Sequence, residues 1–166
     1  PKPYIAFMDG VVMGGGMGLA QGADLRIVSE RTKMAMPETN IGLFPDVGGG
    51  YFLSRCPDAS GEYLALTGQM LIGADALTFG LADGLVAWET MPRLWNSLIE
   101  NSHLNPTERL EQLHKQLSKT PTQPQWLDPQ INTIFSLPTL DLIIQALQQA
   151  NNHWAAQTLK TLRRRS

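Results

Sequence analysis

The chain has 166 residues, 43% of them hydrophobic and only 17% charged, with a net charge of −2 and a pI near 5.9. That is enough apolar sequence for one sizeable core, and too little positive charge for nucleic acid to be the main partner. A single cysteine, Cys56, excludes an internal disulfide and any paired-cysteine metal site, and no apolar run reaches the length a membrane span needs.

Tyr4 to Met8 is a short apolar run bounded by Pro3 and by Asp9-Gly10, which predicts a buried strand. Val11-Val12-Met13 then enters Gly14-Gly15-Gly16, and Met17 to Ala23 reads as a short helix of small residues. Glycines at a strand-to-helix junction allow close packing and leave N–H groups free to meet an anion. The phosphate-cradling P-loop is excluded, because Gly18 is followed by Leu19-Ala20 where Lys-Ser/Thr is required. A dinucleotide fingerprint fails as well, since Leu19 stands where glycine or alanine is needed. Leu25 to Val28 and Lys33 to Met36 read as two further strands, the second delivering Pro37-Glu38.

Two carboxylic acids, Glu38 and Asp46, each follow directly on a proline in an otherwise apolar, small-residue stretch. Pro37 and Pro45 interrupt regular structure, so both acids are expected on turns and not on a solvated helix face. Gly48-Gly49-Gly50 then bends the chain and opens a helix through Tyr51-Phe52-Leu53, whose first N–H groups favour a nearby carboxylate or oxyanion. Local chemistry leaves two readings open: the acids work on a substrate, or they only cap turns. Cys56, before Pro57, reads as a small buried hydrophobe, and its lone thiol suits a reducing compartment.

From Met91 onward the pattern is helical. Leu94, Leu98 and Ile99 are predicted to line one face of a helix over 91–101, and Thr107 to open another carrying Leu110, Leu113 and Leu117. The polar, Pro-rich stretch Thr120 to Pro129 reads as a linker, with helices following near 129–136, 138–150 and 151–164. The three histidines, at 103, 114 and 153, are too widely spaced for a metal cluster. Arg163-Arg164-Arg165 reads as a solvated helix end complementing the macrodipole, with a phosphate contact as the alternative.

Taken together, these residues resemble the crotonase (enoyl-CoA hydratase/isomerase) superfamily, from about Pro3 to Trp88. The likeness lies in Asp9-Gly10, Met13 to Gly18, Ala23-Asp24, Met36-Pro37-Glu38 and Ile41-Gly42-Leu43-Phe44-Pro45. It continues through Leu66-Thr67-Gly68, Ala74-Asp75-Ala76 and Gly80-Leu81-Ala82-Asp83. Within the superfamily the chain is most similar to the 3-hydroxyisobutyryl-CoA hydrolase branch. The resemblance implies an α/β crotonase-like core over 1–90, built of repeated strand-strand-helix turns with its N-terminal part missing, and an α-helical extension over 91–166.

The resemblance also implies hydrolysis of a short 3-hydroxyacyl-CoA thioester. Gly15 matches an oxyanion-hole glycine, Glu38 the glutamate that acts on the thioester, and Asp46 the second acid of the hydrolases. Gly18 stands where hydratases carry a catalytic glutamate. An enoyl-CoA hydratase or isomerase, and a non-catalytic scaffold, are the alternatives. No metal and no cofactor are implied, coenzyme A being part of the substrate; the partner is an acyl-CoA, with no nucleic acid or membrane, and a homo-oligomer is left open. The implied location is the cytoplasm, or the mitochondrial matrix in a eukaryote. Both ends read as cuts, with no initiating methionine and no helix stop at Ser166, so the chain is expected to be an internal piece. The resemblance places the second oxyanion donor, most of the coenzyme A loop and another substrate-contacting acid before Pro1, so this piece alone is expected to be inactive.

Overall fold

A computed structural model describes residues 2–121 and 123–165. The chain opens with β1 (Ile5–Met8), β2 (Val11–Met13) and α1 (Gly15–Gln21), followed by β3 (Leu25–Ser29) and β4 (Lys33–Ala35). A 3-10 turn, Glu38–Ile41, leads to α2 (Gly49–Leu53) and α3 (Ser60–Thr67). Then come β5 (Leu71–Ile72), α4 (Gly73–Thr78) and β6 (Gly84–Val86). The rest is helical: α5 (Met91–Glu100), α6 (Pro106–His114), α7 (Gln130–Phe135), α8 (Leu140–Ala150) and α9 (His153–Leu162).

The strands form two small sheets. β3 pairs in parallel with both β1 and β6, while β4 pairs in parallel with β2 and antiparallel with β5. Each strand-strand-helix turn thus contributes one strand to each sheet, as expected of a crotonase-type core. Leu25, Ile27, Val28 and Met34 are fully buried, which fits the near-continuous apolar runs of strands covered on both faces.

Three acids in the stretches that carry the resemblance are structural. Asp24 accepts from the Tyr4 amide at 2.7 Å, clipping the entry of β1 to that of β3. Asp75 accepts from the Ile72 amide at 3.1 Å at the start of α4. Asp83 takes the Arg26 guanidinium in a forked pair, at 2.7 Å and 3.0 Å, and accepts from the Arg26 backbone at 2.8 Å. Burial raises the Asp83 pKa, but the Arg26 hydrogen bonds and charge outweigh it and hold the carboxyl below its ordinary value. A depressed folded-state pKa contributes stability that is present above the unfolded value of about 3.9 and lost as pH falls through the folded one. Asp83→Asn should therefore melt lower than the parent at neutral pH, by the equivalent of about 1.5–3 kcal/mol, and the gap should close in acid. Melting curves from pH 7 to pH 2 check this; a gap that stays constant would remove the pair from the stability balance.

The helical half shares its core with the first half. Ile131, Ile134, Phe135, Ile143, Leu147 and Ala155 belong to the same buried cluster as Met36, Leu53 and Leu64. Tyr63 stacks on Trp126 at 5.6 Å and meets the edge of Phe135 at 5.0 Å, while Phe79 also stacks against the same indole at 5.5 Å.

Several expectations are corrected here. The stretch from Thr120 to Pro129, of which residue 122 lies outside the described residues, is irregular but not a free linker: Pro124 is buried and Trp126 stacks with both Tyr63 and Phe79. The helix predicted to open at Thr107 begins at Pro106, because the Asn105 side chain caps the Glu108 amide and Glu108 reaches back to Asn105. Ile99 is exposed, whereas Leu94 is buried. At about 100° per residue, Ile99 lies about 140° around the helix from Leu94, off the packed face. Arg165 is not a solvated helix end: its guanidinium turns inward and donates to the Thr67 carbonyl.

Candidate functional site

The parallel register of β2 on β4 sets Met13 beside Ala35, and the Gly14 amide donates to the Ala35 carbonyl at 3.2 Å. The glycine turn leaving β2 and the Pro37-Glu38 segment leaving β4 therefore emerge side by side. Behind Glu38, Gly68 approaches the Met36 carbonyl and Pro37 Cα, and Arg165 closes the same corner. Burial lowers the Arg165 pKa.

Glu38 opens its 3-10 turn, and its backbone carbonyl accepts from the Leu43 amide at 3.1 Å. Its side chain is buried, and among the described residues Oε2 has no hydrogen-bond partner. An unpaired buried polar atom costs about 1–3 kcal/mol, so such a group calls for an explanation other than stability. Oε1 lies 2.9 Å from where a Cβ on Gly14 would stand, and Gly14 has φ +50°, so the carboxyl occupies space that only glycine leaves open.

Gly15 and Gly16 are the first residues of α1, so their amide N–H groups have no acceptor within the helix, and both residues are exposed. The structure thus places the predicted oxyanion donor, Gly15, next to the residue that touches Glu38. Gly16, also at the start of α1, is a further candidate donor beside the one that the resemblance places before Pro1.

Asp46 lies on an exposed turn, with its carbonyl accepting from the Gly49 amide at 2.6 Å. Gly48 begins α2 with no side-chain cap, and Pro37 begins the 3-10 turn likewise. Among the described residues, the capping role that local chemistry allowed for both acids finds no hydrogen bond. The Asp46 turn returns toward the glycine run instead: a Cβ on Gly18 would stand 2.6 Å from Val47 Cβ, Cγ2 and carbonyl oxygen. Glu38, the glycine turn and the Asp46 turn are so linked through Gly14 and Gly18, two contacts that sequence spacing does not reveal.

Around these acids the surface is apolar. Leu19, Ile41, Leu43, Phe44, Val47 and Tyr51 are all exposed, Phe44 at 74%. A groove lined by Val11, Val12, Gly16 and Leu19 reaches the glycine turn, whereas a cleft lined by Pro57, Phe79, Leu127 and Ile131 lies away from the acids. Cys56 is no competitor as a nucleophile: burial, with Glu62 adding to it, pushes its thiol up to about 12. Among the described residues no group of three or more His, Cys, Asp or Glu side chains could hold a metal ion. Among them, too, no helix is long and apolar enough to cross a membrane.

A family model described as enoyl-CoA hydratase/isomerase matches residues 1–166. The chain is 42% identical over 168 residues to the mitochondrial 3-hydroxyisobutyryl-CoA hydrolase of Xenopus tropicalis, covering 97% of this chain and 43% of that protein. It is 40% identical to the Homo sapiens protein of the same name, covering 99% of this chain and 44% of that one. Among solved structures, a carnitinyl-CoA dehydratase from Mycobacterium thermoresistibile superposes with a TM-score of 0.84 at 34% identity, covering 100% of this chain and 47% of that one. An enoyl-CoA hydratase from Rhodobacter sphaeroides 2.4.1 gives 0.82 at 37% identity, with 100% and 46% covered. The chain spans less than half the length of each of these proteins.

Proposed function

The chain belongs to the enoyl-CoA hydratase/isomerase family, and on that footing we propose that the whole protein hydrolyses a short 3-hydroxyacyl-CoA thioester to the free acid and coenzyme A. The observation that carries this reading is the Glu38 carboxyl, buried against the glycine turn with Oε2 unpartnered. The thioester carbonyl would point at the free amides of Gly15 and Gly16, which stabilise the charge developing on its oxygen. Glu38 then has two routes to the same products. As a base it takes a proton from water while the water oxygen adds to the carbonyl carbon, and the C–S bond breaks to release the thiolate. As a nucleophile Oε2 adds instead, the thiolate leaves, and water opens the resulting mixed anhydride. Asp46, across the turn, orients the 3-hydroxyl or the water.

The relatives named as hydrolases share at least 40% identity with this chain in the two comparisons above, and the solved dehydratase and hydratase somewhat less. Hydration of a double bond is the second reading, and Gly18 weighs against it. The residue that resemblance assigns to a hydratase glutamate is glycine here, and Val47 fills the space its side chain would need. Free thiol released from a 3-hydroxyacyl-CoA supports the hydrolase; loss of enoyl absorbance without thiol release supports the hydratase.

Asp46→Asn tests the second acid. No side chain caps α2, so the melting temperature should hardly change. Losing a charged partner costs about 1.5–3 kcal/mol, or roughly ten- to a hundredfold in turnover. The loss should be larger for a 3-hydroxyacyl-CoA than for the matching acyl-CoA without the hydroxyl. Equal rates with a lowered melting temperature would make Asp46 structural.

A further inference from the structure

Asp46 is exposed, and no cap holds its side chain, so its position must come from its neighbours. On one side, Pro45 Cβ lies 2.7 Å and Met36 Cε 3.4 Å from where a Cβ on Gly49 would stand. On the other, Val47 presses its Cβ, Cγ2 and carbonyl oxygen into the space above Gly18 on α1, each 2.6 Å from an added Cβ. Two of those three atoms are fixed to the backbone, so the contact could not be relieved by a side-chain rotation. Val47 also holds φ +42°, a conformation that a β-branched residue keeps only when its surroundings impose it.

We propose that Gly18 and Val47 form a steric lock that fixes the turn bearing Asp46, making Gly18 a positioning residue although it carries no functional group. The lock stands on the geometry alone; its effect on catalysis rests on the hydrolytic role proposed for Asp46. A methyl group at 18 must drive the turn away from α1. A misplacement on the order of 1 Å costs up to about a hundredfold, so Gly18→Ala should lower kcat by roughly ten- to a hundredfold with KM little changed. Preference for 3-hydroxyacyl-CoA over the acyl-CoA lacking the hydroxyl should fall in parallel, as in Asp46→Asn.

The conservative partner for the test is Val47→Gly, which removes two of the three overlapping atoms and accepts the positive φ without strain. In the whole protein, Val47→Gly added to Gly18→Ala should recover a large part of the lost kcat and of the lost melting temperature. Such non-additivity is the mark of residues in contact. Gly18→Ala with parental kcat and parental melting temperature, or losses in the double variant that simply add, would overturn the lock. If melting shows the coupling while Asp46→Asn turns over normally, the lock stands and the role given to Asp46 falls.

Discussion

Glu38→Gln should bring turnover down by on the order of a thousandfold while acyl-CoA stays bound, because the amide keeps the shape of the side chain but can neither take a proton nor attack a carbonyl. The Oε2 position is buried without a partner, so folding gains nothing from this oxygen and the melting temperature should not fall with its loss. Active sites hold such unsatisfied groups at the expense of stability. Single turnover of the parent in 18O water adds to the route: label recovered in the Glu38 carboxyl marks an anhydride opened at the Glu38 carbon, and label in the product acid alone marks addition of water at the acyl carbon. A Glu38→Gln variant that turns over like the parent would remove Glu38 from the reaction.

The features legible in the sequence are those written in local chemistry. Pro37 and Pro45 put both acids on turns, the triple glycine at 48–50 opens α2, and apolar runs place β1, β3 and β4 within a residue or two. The capping of α6 is equally local, written in Asn105, Pro106 and Glu108, which set its start one residue before Thr107. What could not be read depends on residues far apart in sequence. Trp126 is immobilised by Tyr63 and Phe79, so a polar, Pro-rich stretch became part of the core. Arg165 was legible as a basic helix end, but its acceptor is the carbonyl of Thr67, 98 residues earlier. Ile99 is exposed for a simpler reason, since helical phase turns it about 140° away from Leu94.

The site divides the same way. Glu38, Asp46 and Gly15 stand out from proline, glycine and resemblance, yet nothing in spacing shows that Glu38 lies over Gly14 or that Val47 fills the space above Gly18. Acids carried in the same stretches, Asp24, Asp75 and Asp83, serve the backbone and Arg26 instead. A shared pattern thus mixes residues kept for chemistry with residues kept for folding, and hydrogen bonding separates them. The structural acids have partners, whereas the Glu38 carboxyl has an oxygen that is buried and unpaired.

Gly14→Ala should lower turnover by about a hundredfold or more, comparable with the cost of a 1 Å displacement of a reacting group. Two effects combine. The added Cβ would stand 2.9 Å from Glu38 Oε1, and a carboxyl at the end of a flexible side chain is the partner that yields. The functional group therefore moves, and the backbone need not. Separately, φ +50° with ψ −121° is a conformation that alanine rarely adopts, which costs on the order of 1–3 kcal/mol and should lower the melting temperature by a few degrees. The two effects separate in a double variant. Adding Gly14→Ala to Glu38→Gln should repeat the drop in melting temperature but cost nothing further in turnover, because the group that alanine displaces is already inert. If the two losses in turnover multiply instead, Gly14 acts on the amide donors of Gly15 and Gly16 and not through Glu38.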